Sequence, residues 1–272
     1  MNVIIPLAGK DPRFPDLPKL LIDVRGKPLL AYILERLRID TFDGFDKLTT
    51  SKLSVNLFEP EPQSRRPERS RRIEPGDQLI FVVLKEDVEK FNIDRTLKNI
   101  AGAQAIIRVL SNVTQGSPCS ILEAARDLID NDTDLLVELG DVLRNVENLY
   151  KDIATCRSDV SGIIPVERRD MTGRPFGYVR TDENGFAEAL LEKELTYAAP
   201  WATMGLYYFS RGKDFVWAAE AMIKNKSFTY KDLFFVGPIY NELIKRGDKV
   251  IVSQNIIETM LGTPEEVSAF GV

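Results

Sequence analysis

Short apolar runs alternate with segments of helical period through the first 165 residues. The apolar runs predict strands at Val3–Leu7, Leu79–Leu84, Ala105–Leu110, Leu135–Leu139 and Val160–Pro165. The helical periods predict helices at Leu29–Leu37, Val88–Ile100, Ser120–Ile129 and Val146–Cys156. This alternation predicts an α/β fold with a mainly parallel, doubly wound central sheet that is flanked by helices.

The pattern changes in the second half of the chain. Further strands are predicted at Gly177–Thr181, Phe186–Leu191, Met204–Phe209 and Val250–Val252, and helices at Phe215–Lys224 and Phe235–Arg246. These elements predict an α+β extension that packs on the same sheet. A chain of 272 residues is long enough to bury the core of one such domain, so we predict a single domain over residues 1–272.

The segment Phe42–Pro75 fits neither pattern. It is rich in proline, arginine and serine, and it interrupts a helix-to-strand connection that normally takes about 2–6 residues. We predict a disordered, solvated insertion at residues 42–75. Its arginines could instead bind an anion, but neighbouring glutamates offset their charge.

Composition narrows the chemistry. The chain has no histidine, which excludes serine–histidine triads, histidine general bases and histidine-ligated zinc. Its two cysteines, Cys119 and Cys156, are too few for a disulfide framework or a cysteine metal site. Phosphoryl chemistry remains, because it depends on positioning, cations and a metal ion rather than on a proton shuttle.

Charge and hydropathy limit the partners. The net charge of −5 gives no global basic field, so we expect no nucleic-acid partner. No apolar run reaches the length of about 18–20 residues that spans a bilayer, and the opening strand lacks the flanks of a signal peptide. We therefore expect a cytoplasmic protein without a membrane partner.

The opening of the chain is the first candidate site. An apolar strand runs into Gly9, and the cations Lys10, Arg13 and Lys19 follow within ten residues. Backbone N–H groups and positive charge at the carboxyl end of a strand form a phosphate site. A glycine after a strand is otherwise only a turn, but the added cations favour the phosphate site.

Three further positions offer chemistry, each with a plainer alternative. Gln115 and Gly116 precede a helix and could read a nucleobase edge, or simply start the helix. Asp141 ends a buried strand, where it could hold Mg²⁺ or cap the next helix. Glu192 and Lys193 could take sugar hydroxyls and a sugar phosphate, or form a solvated surface pair.

The end of the chain carries a helix-start signal. Thr263 as N-cap, Pro264 at the first helical position and Glu266 at the third form a predicted capping box.

Together and in this order, these motifs resemble the sugar-1-phosphate nucleotidyltransferases (NDP-sugar pyrophosphorylases) with a Rossmann-like GT-A fold, in particular a bacterial capsular-polysaccharide branch. The resemblance covers almost the whole chain outside Phe42–Pro75. The motifs that carry it are Pro6-Leu7-Ala8-Gly9, Pro18-Lys19, Gly26-Lys27-Pro28, Leu139-Gly140-Asp141, Glu192-Lys193, Tyr240-Asn241-Glu242-Leu243-Ile244 and Leu261-Gly262-Thr263-Pro264-Glu265.

The resemblance implies that an NTP and a sugar 1-phosphate react to give an NDP-sugar and pyrophosphate, with Mg²⁺ as cofactor, for surface polysaccharide precursors. It divides the domain into a nucleotide-binding half, residues 1–165, and a sugar-phosphate-binding half, residues 166–272. Relatives are often homo-oligomers, and the sequence leaves the oligomeric state, the base and the sugar open.

The resemblance also implies roles for individual residues. Catalytic roles fall to Arg13, Lys19 and Asp141, and Asp141 would also hold the metal. Nucleotide binding falls to Ala8, Gly9, Gln115 and Gly116. Sugar-phosphate binding falls to Gly177, Glu192, Lys193 and Gly205.

The chain departs from the family pattern at Asp11, Pro12 and Met260. Asp11 and Pro12 replace a glycine and a hydroxyl residue of the phosphate loop, so we expect like-charge repulsion and one fewer N–H donor. Met260 replaces a second metal-binding aspartate and cannot ligate Mg²⁺. The activity is therefore either nucleotidyl transfer through an altered loop, or sugar-nucleotide binding by a catalytically weakened homologue with a regulatory role. A cytidylyltransferase for a non-sugar alcohol phosphate is disfavoured by Glu192-Lys193 and by Gly262-Thr263-Pro264.

Overall fold

The computed structural model describes residues 1–37, 77–168, 176–193 and 200–271. The strands of this part are β1 (Asn2–Pro6), β2 (Asp23–Val24), β3 (Lys27–Pro28), β4 (Gln78–Leu84), β5 (Ile106–Leu110), β6 (Leu135–Glu138), β7 (Val142–Asn145), β8 (Val160–Arg168), β9 (Gly177–Thr181), β10 (Ala187–Glu192), β11 (Trp201–Thr203), β12 (Leu206–Phe209), β13 (Lys249–Gln254) and β14 (Ile256–Met260). The α-helices are α1 (Leu29–Arg36), α2 (Lys85–Phe91), α3 (Ile93–Ala101), α4 (Ser117–Ile129), α5 (Glu147–Thr155), α6 (Gly212–Asn225), α7 (Ile239–Arg246) and α8 (Pro264–Gly271).

One large sheet dominates the described residues. Its strand order is β10-β9-β11-β8-β12-β6-β1-β4-β5, and β13 pairs with β8 off this path. The four strands from β6 to β5 are parallel to one another, whereas β8 to β12 pair in antiparallel fashion. The predicted α/β fold with a parallel sheet core is therefore confirmed, and the antiparallel half forms the α+β extension.

The continuous apolar run of β1 follows from burial on both faces. Val3 and Ile5 belong to one core cluster with residues of α1 and α3. Ile4 points to the opposite cluster, which includes residues of α4 and α6. Helices thus cover both faces of the parallel strands, and the loops at the carboxyl ends of β1 and β6 are left to form a site.

Some predicted elements were wrong in detail. The single helix over Val88–Ile100 is two helices, because Asn92 adopts a left-handed conformation (φ 50°, ψ 39°) between α2 and α3. The predicted strand Met204–Phe209 begins only at Leu206, since Gly205 has a φ of +70°. The antiparallel pair of β7 and β14 was not predicted.

The insertion predicted at residues 42–75 lies outside the described residues. The division into halves at residue 165 stays a prediction.

Within the described ranges, no helix is both long and apolar enough to cross a membrane.

Candidate functional site

An open cavity of about 580 Å³ lies beside the carboxyl ends of β1 and β6. Pro6 is the last residue of β1 and Leu139 directly follows β6, whereas Gly177 and Thr203 belong to the antiparallel half. Ligands of open α/β sheets bind at the carboxyl ends of parallel strands. This position and volume suit a small polar ligand.

Six of the predicted site residues line this cavity. They come from five separate parts of the chain, which the fold brings together: Arg13, Asp141, Gly177, Glu192, Lys193 and Gly205. Lys19 reaches the same place indirectly, because its ammonium group pairs with the Asp141 carboxylate. The four predicted nucleotide-binding residues, Ala8, Gly9, Gln115 and Gly116, are not part of the cavity wall, and their role stays a prediction.

The turn after β6 presents Asp141. Gly140 has a φ of +75°, and an added Cβ would lie 2.8 Å from the Leu20 side chain, so this turn needs glycine. Leu20 follows Lys19 in a short 3₁₀ turn, Lys19–Leu21. The Lys19 side chain is 13% exposed and that of Asp141 is 51% exposed, so the carboxylate remains accessible from the cavity.

Asp11 contacts Arg13 in a bidentate ion pair. Arg13 Nε donates to Asp11 Oδ1 at 2.8 Å, and Nη2 donates to Oδ2 at 2.7 Å. The pairing lowers the pKa of Asp11 and raises the pKa of Arg13. The charge of Asp11 is therefore compensated within the loop. In turn, part of the Arg13 donor capacity is directed at Asp11.

Glu192 and Lys193 form another part of the cavity wall. Burial raises the pKa of Glu192, and the nearby Lys193 ammonium opposes that shift. Lys193 Nζ lies 2.9 Å from Glu192 Oε1 and 4.9 Å from the ring centroid of Phe235. This wall combines a nearly buried carboxylate, a cation and an aromatic face, a combination that suits a polar ligand with apolar patches.

Other cavity residues were missed from the sequence. Thr203, Tyr207 and Phe235 line the cavity, and the Tyr207 hydroxyl lies 3.4 Å from Thr203 Oγ1. Burial raises the pKa of Tyr207 well above its ordinary value, so the hydroxyl stays neutral. Thr203 and Tyr207 lie in the strands β11 and β12, and Phe235 lies in the segment before α7, where the sequence predicted the start of a helix. An apolar pattern does not distinguish a residue of a cavity wall from a residue of the core.

Gly116 makes a close backbone contact. It has a φ of +115°, and an added Cβ would lie 2.1 Å from the carbonyl oxygen of Phe234. The N–H of Phe234 donates to the Gln115 carbonyl at 2.9 Å. The space beside Gly116 is thus filled by the chain segment that leads directly to Phe235 and Val236 in the cavity wall.

The predicted capping box at the start of α8 is confirmed. Glu266 Oε2 accepts hydrogen bonds from the N–H groups of Gly262 (2.8 Å) and Thr263 (3.1 Å). The N–H of Glu266 donates to Thr263 Oγ1 at 3.3 Å. Gly262, Thr263 and Glu266 line the cavity, so the capped start of α8 forms part of its wall.

Few side chains of the cavity could ligate a metal ion. Among the described residues, no group of three or more His, Cys, Asp or Glu side chains could hold a metal ion. Asp141 offers one accessible carboxylate, and Met260 lies nearby in the cavity wall. One carboxylate fits Mg²⁺, which commonly takes its remaining ligands from substrate phosphates and water.

Comparisons with known proteins give structural relatives. No protein-family model matches the chain, and no curated protein matches it. A nucleoside-diphosphate-sugar pyrophosphorylase from Vibrio cholerae RC9 has a TM-score of 0.69 at 17% identity, over 98% of each chain. A UDP-glucose pyrophosphorylase solved with UDP-glucose has a TM-score of 0.64 at 17% identity, over 99% of this chain and 96% of the other.

A third structure, from Bacillus anthracis, is described as a glucose-1-phosphate thymidylyltransferase in complex with sucrose. It has a TM-score of 0.64 at 15% identity, over 99% of this chain and 93% of the other. Similarity over nearly the full length of all three proteins shows that this chain has the fold of the nucleotide-sugar pyrophosphorylases.

Proposed function

We propose that this chain is a sugar-1-phosphate nucleotidyltransferase of the NDP-sugar pyrophosphorylase family. It would act in the cytoplasm and supply precursors of a surface polysaccharide. The observation that supports this function best is the convergence of Arg13, Asp141, Glu192 and Lys193 on one cavity at the carboxyl ends of the parallel strands.

The reaction needs no general base. A phosphate oxygen of the sugar 1-phosphate attacks the α-phosphorus of the NTP and forms the new P–O bond. The bond between the α-phosphorus and the oxygen that bridges to the β-phosphorus breaks, and pyrophosphate leaves with that electron pair. Because the nucleophile is already an anion, no proton has to be removed, which agrees with a chain without histidine.

Arg13 and Lys19 are the cations that would stabilise the transition state. Arg13 would neutralise charge at the attacked α-phosphate and on the departing pyrophosphate. Lys19 would exchange its Asp141 contact for the phosphate oxygens when nucleotide binds. Preorganised donors act most strongly where water is excluded. The Lys19 side chain meets this condition, because only 13% of it is exposed to solvent.

Asp141 is the residue that would hold Mg²⁺. The ion would supply charge neutralisation between the phosphates when bound. The Asp141 carboxylate would fix it at the edge of β6. Met260 supplies no oxygen, so a single protein carboxylate would carry this role.

The Glu192 wall would bind the sugar phosphate. The Glu192 carboxylate would accept hydrogen bonds from sugar hydroxyls, and the Lys193 ammonium would pair with the phosphate. Gly177 leaves room for the ligand, since a Cβ there would lie 3.0 Å from both Glu192 Oε2 and Thr203 Oγ1.

A second candidate function is sugar-nucleotide binding without efficient turnover, in a regulatory role. It is favoured by the pairing of each cation with a carboxylate: Arg13 with Asp11, Lys19 with Asp141, and Lys193 with Glu192. A triphosphate must compete with these carboxylates for every one of the three cations.

Pyrophosphate release distinguishes the two functions. Wild type is assayed with a panel of NTPs and sugar 1-phosphates in the presence of Mg²⁺, and a non-sugar alcohol phosphate is included. We expect turnover for at least one sugar pair, which Asp141→Asn abolishes. The matched control is Asp132→Asn, which breaks an Asp–Lys pair with Lys213 outside the cavity wall and should leave turnover unchanged. Saturable binding of an NDP-sugar without turnover for any pair would favour the regulatory protein.

A further inference from the structure

A buried ion pair lies behind the turn that presents Asp141. Glu138, the last residue of β6, is 0% exposed, and Arg144 in β7 is 2% exposed. Arg144 Nη1 pairs with Glu138 Oε2, and Nη2 lies 3.1 Å from Oε1. The two residues flank Gly140 and Asp141 in sequence, so the pair closes the base of this turn.

Glu138 also binds the turn itself. Its Oε1 accepts a hydrogen bond from the N–H of Gly140 at 2.6 Å. On either side, the Leu139 N–H donates to the Gly205 carbonyl at 2.9 Å, and the Leu261 N–H donates to the Asp141 carbonyl at 2.8 Å. The backbone between β6 and Asp141 is therefore fixed at three consecutive residues, and the middle bond depends on the Glu138 carboxylate.

Stability of the fold alone does not account for this pair. A buried ion pair is often no more stabilising than apolar side chains of similar volume. Here, moreover, Arg144 Nε is buried without a hydrogen-bond partner among the described residues. An apolar pair could fill the same space, but it could not accept the Gly140 N–H bond.

We propose that Glu138, held in place by Arg144, is a positioning residue for Asp141. The Glu138 carboxylate fixes the Gly140 peptide, and this sets the direction in which the Asp141 carboxylate enters the cavity. The proposal rests on the function proposed above for Asp141. It adds that the direction of the Asp141 carboxylate depends on the Glu138–Arg144 pair, although neither residue of that pair would contact the metal ion. Removing a group that hydrogen-bonds directly to a metal ligand changes metal affinity or activity by about 10–100-fold, and we take this range for Glu138, which bonds the peptide next to Asp141.

Two double variants separate positioning from packing. Glu138→Met/Arg144→Met replaces the pair by apolar side chains and removes the acceptor. Glu138→Gln/Arg144→Met also removes both charges, but it retains an oxygen for the Gly140 N–H. The control is Asp214→Asn, which alters a carboxylate that is 4% exposed, pairs with Arg211 and Arg246, and lies outside the cavity wall.

The first measurement is amide hydrogen exchange at Gly140, which needs neither metal nor turnover. We expect the Met/Met variant to exchange faster than wild type by about tenfold or more, and the Gln/Met variant and the control to exchange at nearly the wild-type rate. The second is the Mg²⁺ concentration for half-maximal pyrophosphate release, which should rise about 10–100-fold in Met/Met and recover in Gln/Met.

Wild-type exchange and wild-type Mg²⁺ dependence in Met/Met would overturn the proposal, and so would equal losses in both double variants. If wild type releases no pyrophosphate from any substrate pair, the proposed function fails. The exchange comparison then still decides whether Glu138 fixes the turn.

Discussion

Replacing Gly116 by alanine should displace the segment that leads into the cavity wall. The new Cβ would lie 2.1 Å from the Phe234 carbonyl oxygen, far inside van der Waals contact. The backbone of Gly116, with φ 115° and ψ 170°, is also in a region that only glycine adopts easily. The backbone strain contributes about 1–3 kcal/mol, and the forced shift of Phe234 contributes a further ~1–3 kcal/mol.

These contributions together predict a loss of about 4 kcal/mol in the free energy of unfolding for Gly116→Ala. For chains of this size, each kcal/mol lowers the melting temperature by about 2–4 °C, so we expect a decrease of ~8–16 °C. Thermal unfolding followed by circular dichroism measures it. Gly185→Ala is the matched control, because Gly185 has a φ of +83° but nothing within 4 Å of the added Cβ.

The shift should also reach the cavity. Phe235 and Val236 follow Phe234 and line the cavity, so KM for the sugar 1-phosphate should rise in Gly116→Ala. Gly212→Ala provides a second control, because its Cβ would lie 2.0 Å from the Ile129 carbonyl oxygen, away from the cavity wall. It should lose stability without a change in KM. A melting temperature of Gly116→Ala no lower than that of Gly185→Ala would refute the steric argument.

Three further predictions concern charged residues of the cavity. Asp11→Asn removes the charge that pairs with the Arg13 guanidinium, so KM for the NTP should fall about two- to fivefold, because an exposed ion pair contributes up to ~1 kcal/mol. An unchanged KM in initial-rate assays would contradict this prediction. Lys19→Met should lower kcat about 100-fold or more at saturating substrate, because one transition-state cation is lost, whereas a change in KM alone would indicate a binding role only. Glu192→Gln should raise the melting temperature at pH 7, because burial raises the pKa of Glu192 and its ionisation opposes folding. Ionised Glu192 destabilises the folded state only as the pH rises above the ordinary carboxyl pKa of 4.5, so the gain in melting temperature of Glu192→Gln should disappear below pH 4.5. An equal gain at pH 7 and below pH 4.5 would argue against ionisation of a buried Glu192.

The parallel half of the fold was predictable from the sequence because its strands are buried on both faces. Val3–Leu7 is apolar throughout and Leu135–Leu139 is apolar except at Glu138, and a glycine follows each run within two residues. The pair of β7 and β14 was not predictable. Val142 pairs with Met260 across more than a hundred residues, and neither strand shows a regular alternation of apolar and polar side chains.

Apart from Gly177 and Gly205, which the family resemblance supplied, the predicted site residues that line the cavity all carry charge. Arg13, Asp141 and Glu192 were identified on that ground, and the structure brings them to one cavity. Thr203 and Tyr207 belong to strands whose pattern indicates core, so the sequence gives no signal for their position in the wall. The compensation of Asp11 by Arg13 was also hidden, because it depends on a loop conformation rather than on residue spacing.

Oxygen-isotope transfer tests nucleotidyl transfer most directly. A sugar 1-phosphate labelled with ¹⁸O at its non-bridging phosphate oxygens is incubated with the NTP and Mg²⁺, and the products are examined by ³¹P NMR. We predict that the label stays on the sugar-linked phosphorus of the NDP-sugar, with one labelled oxygen bridging to the α-phosphorus, while the pyrophosphate is unlabelled. Label in pyrophosphate or in free phosphate, or recovery of the unchanged substrates, would contradict nucleotidyl transfer by this chain.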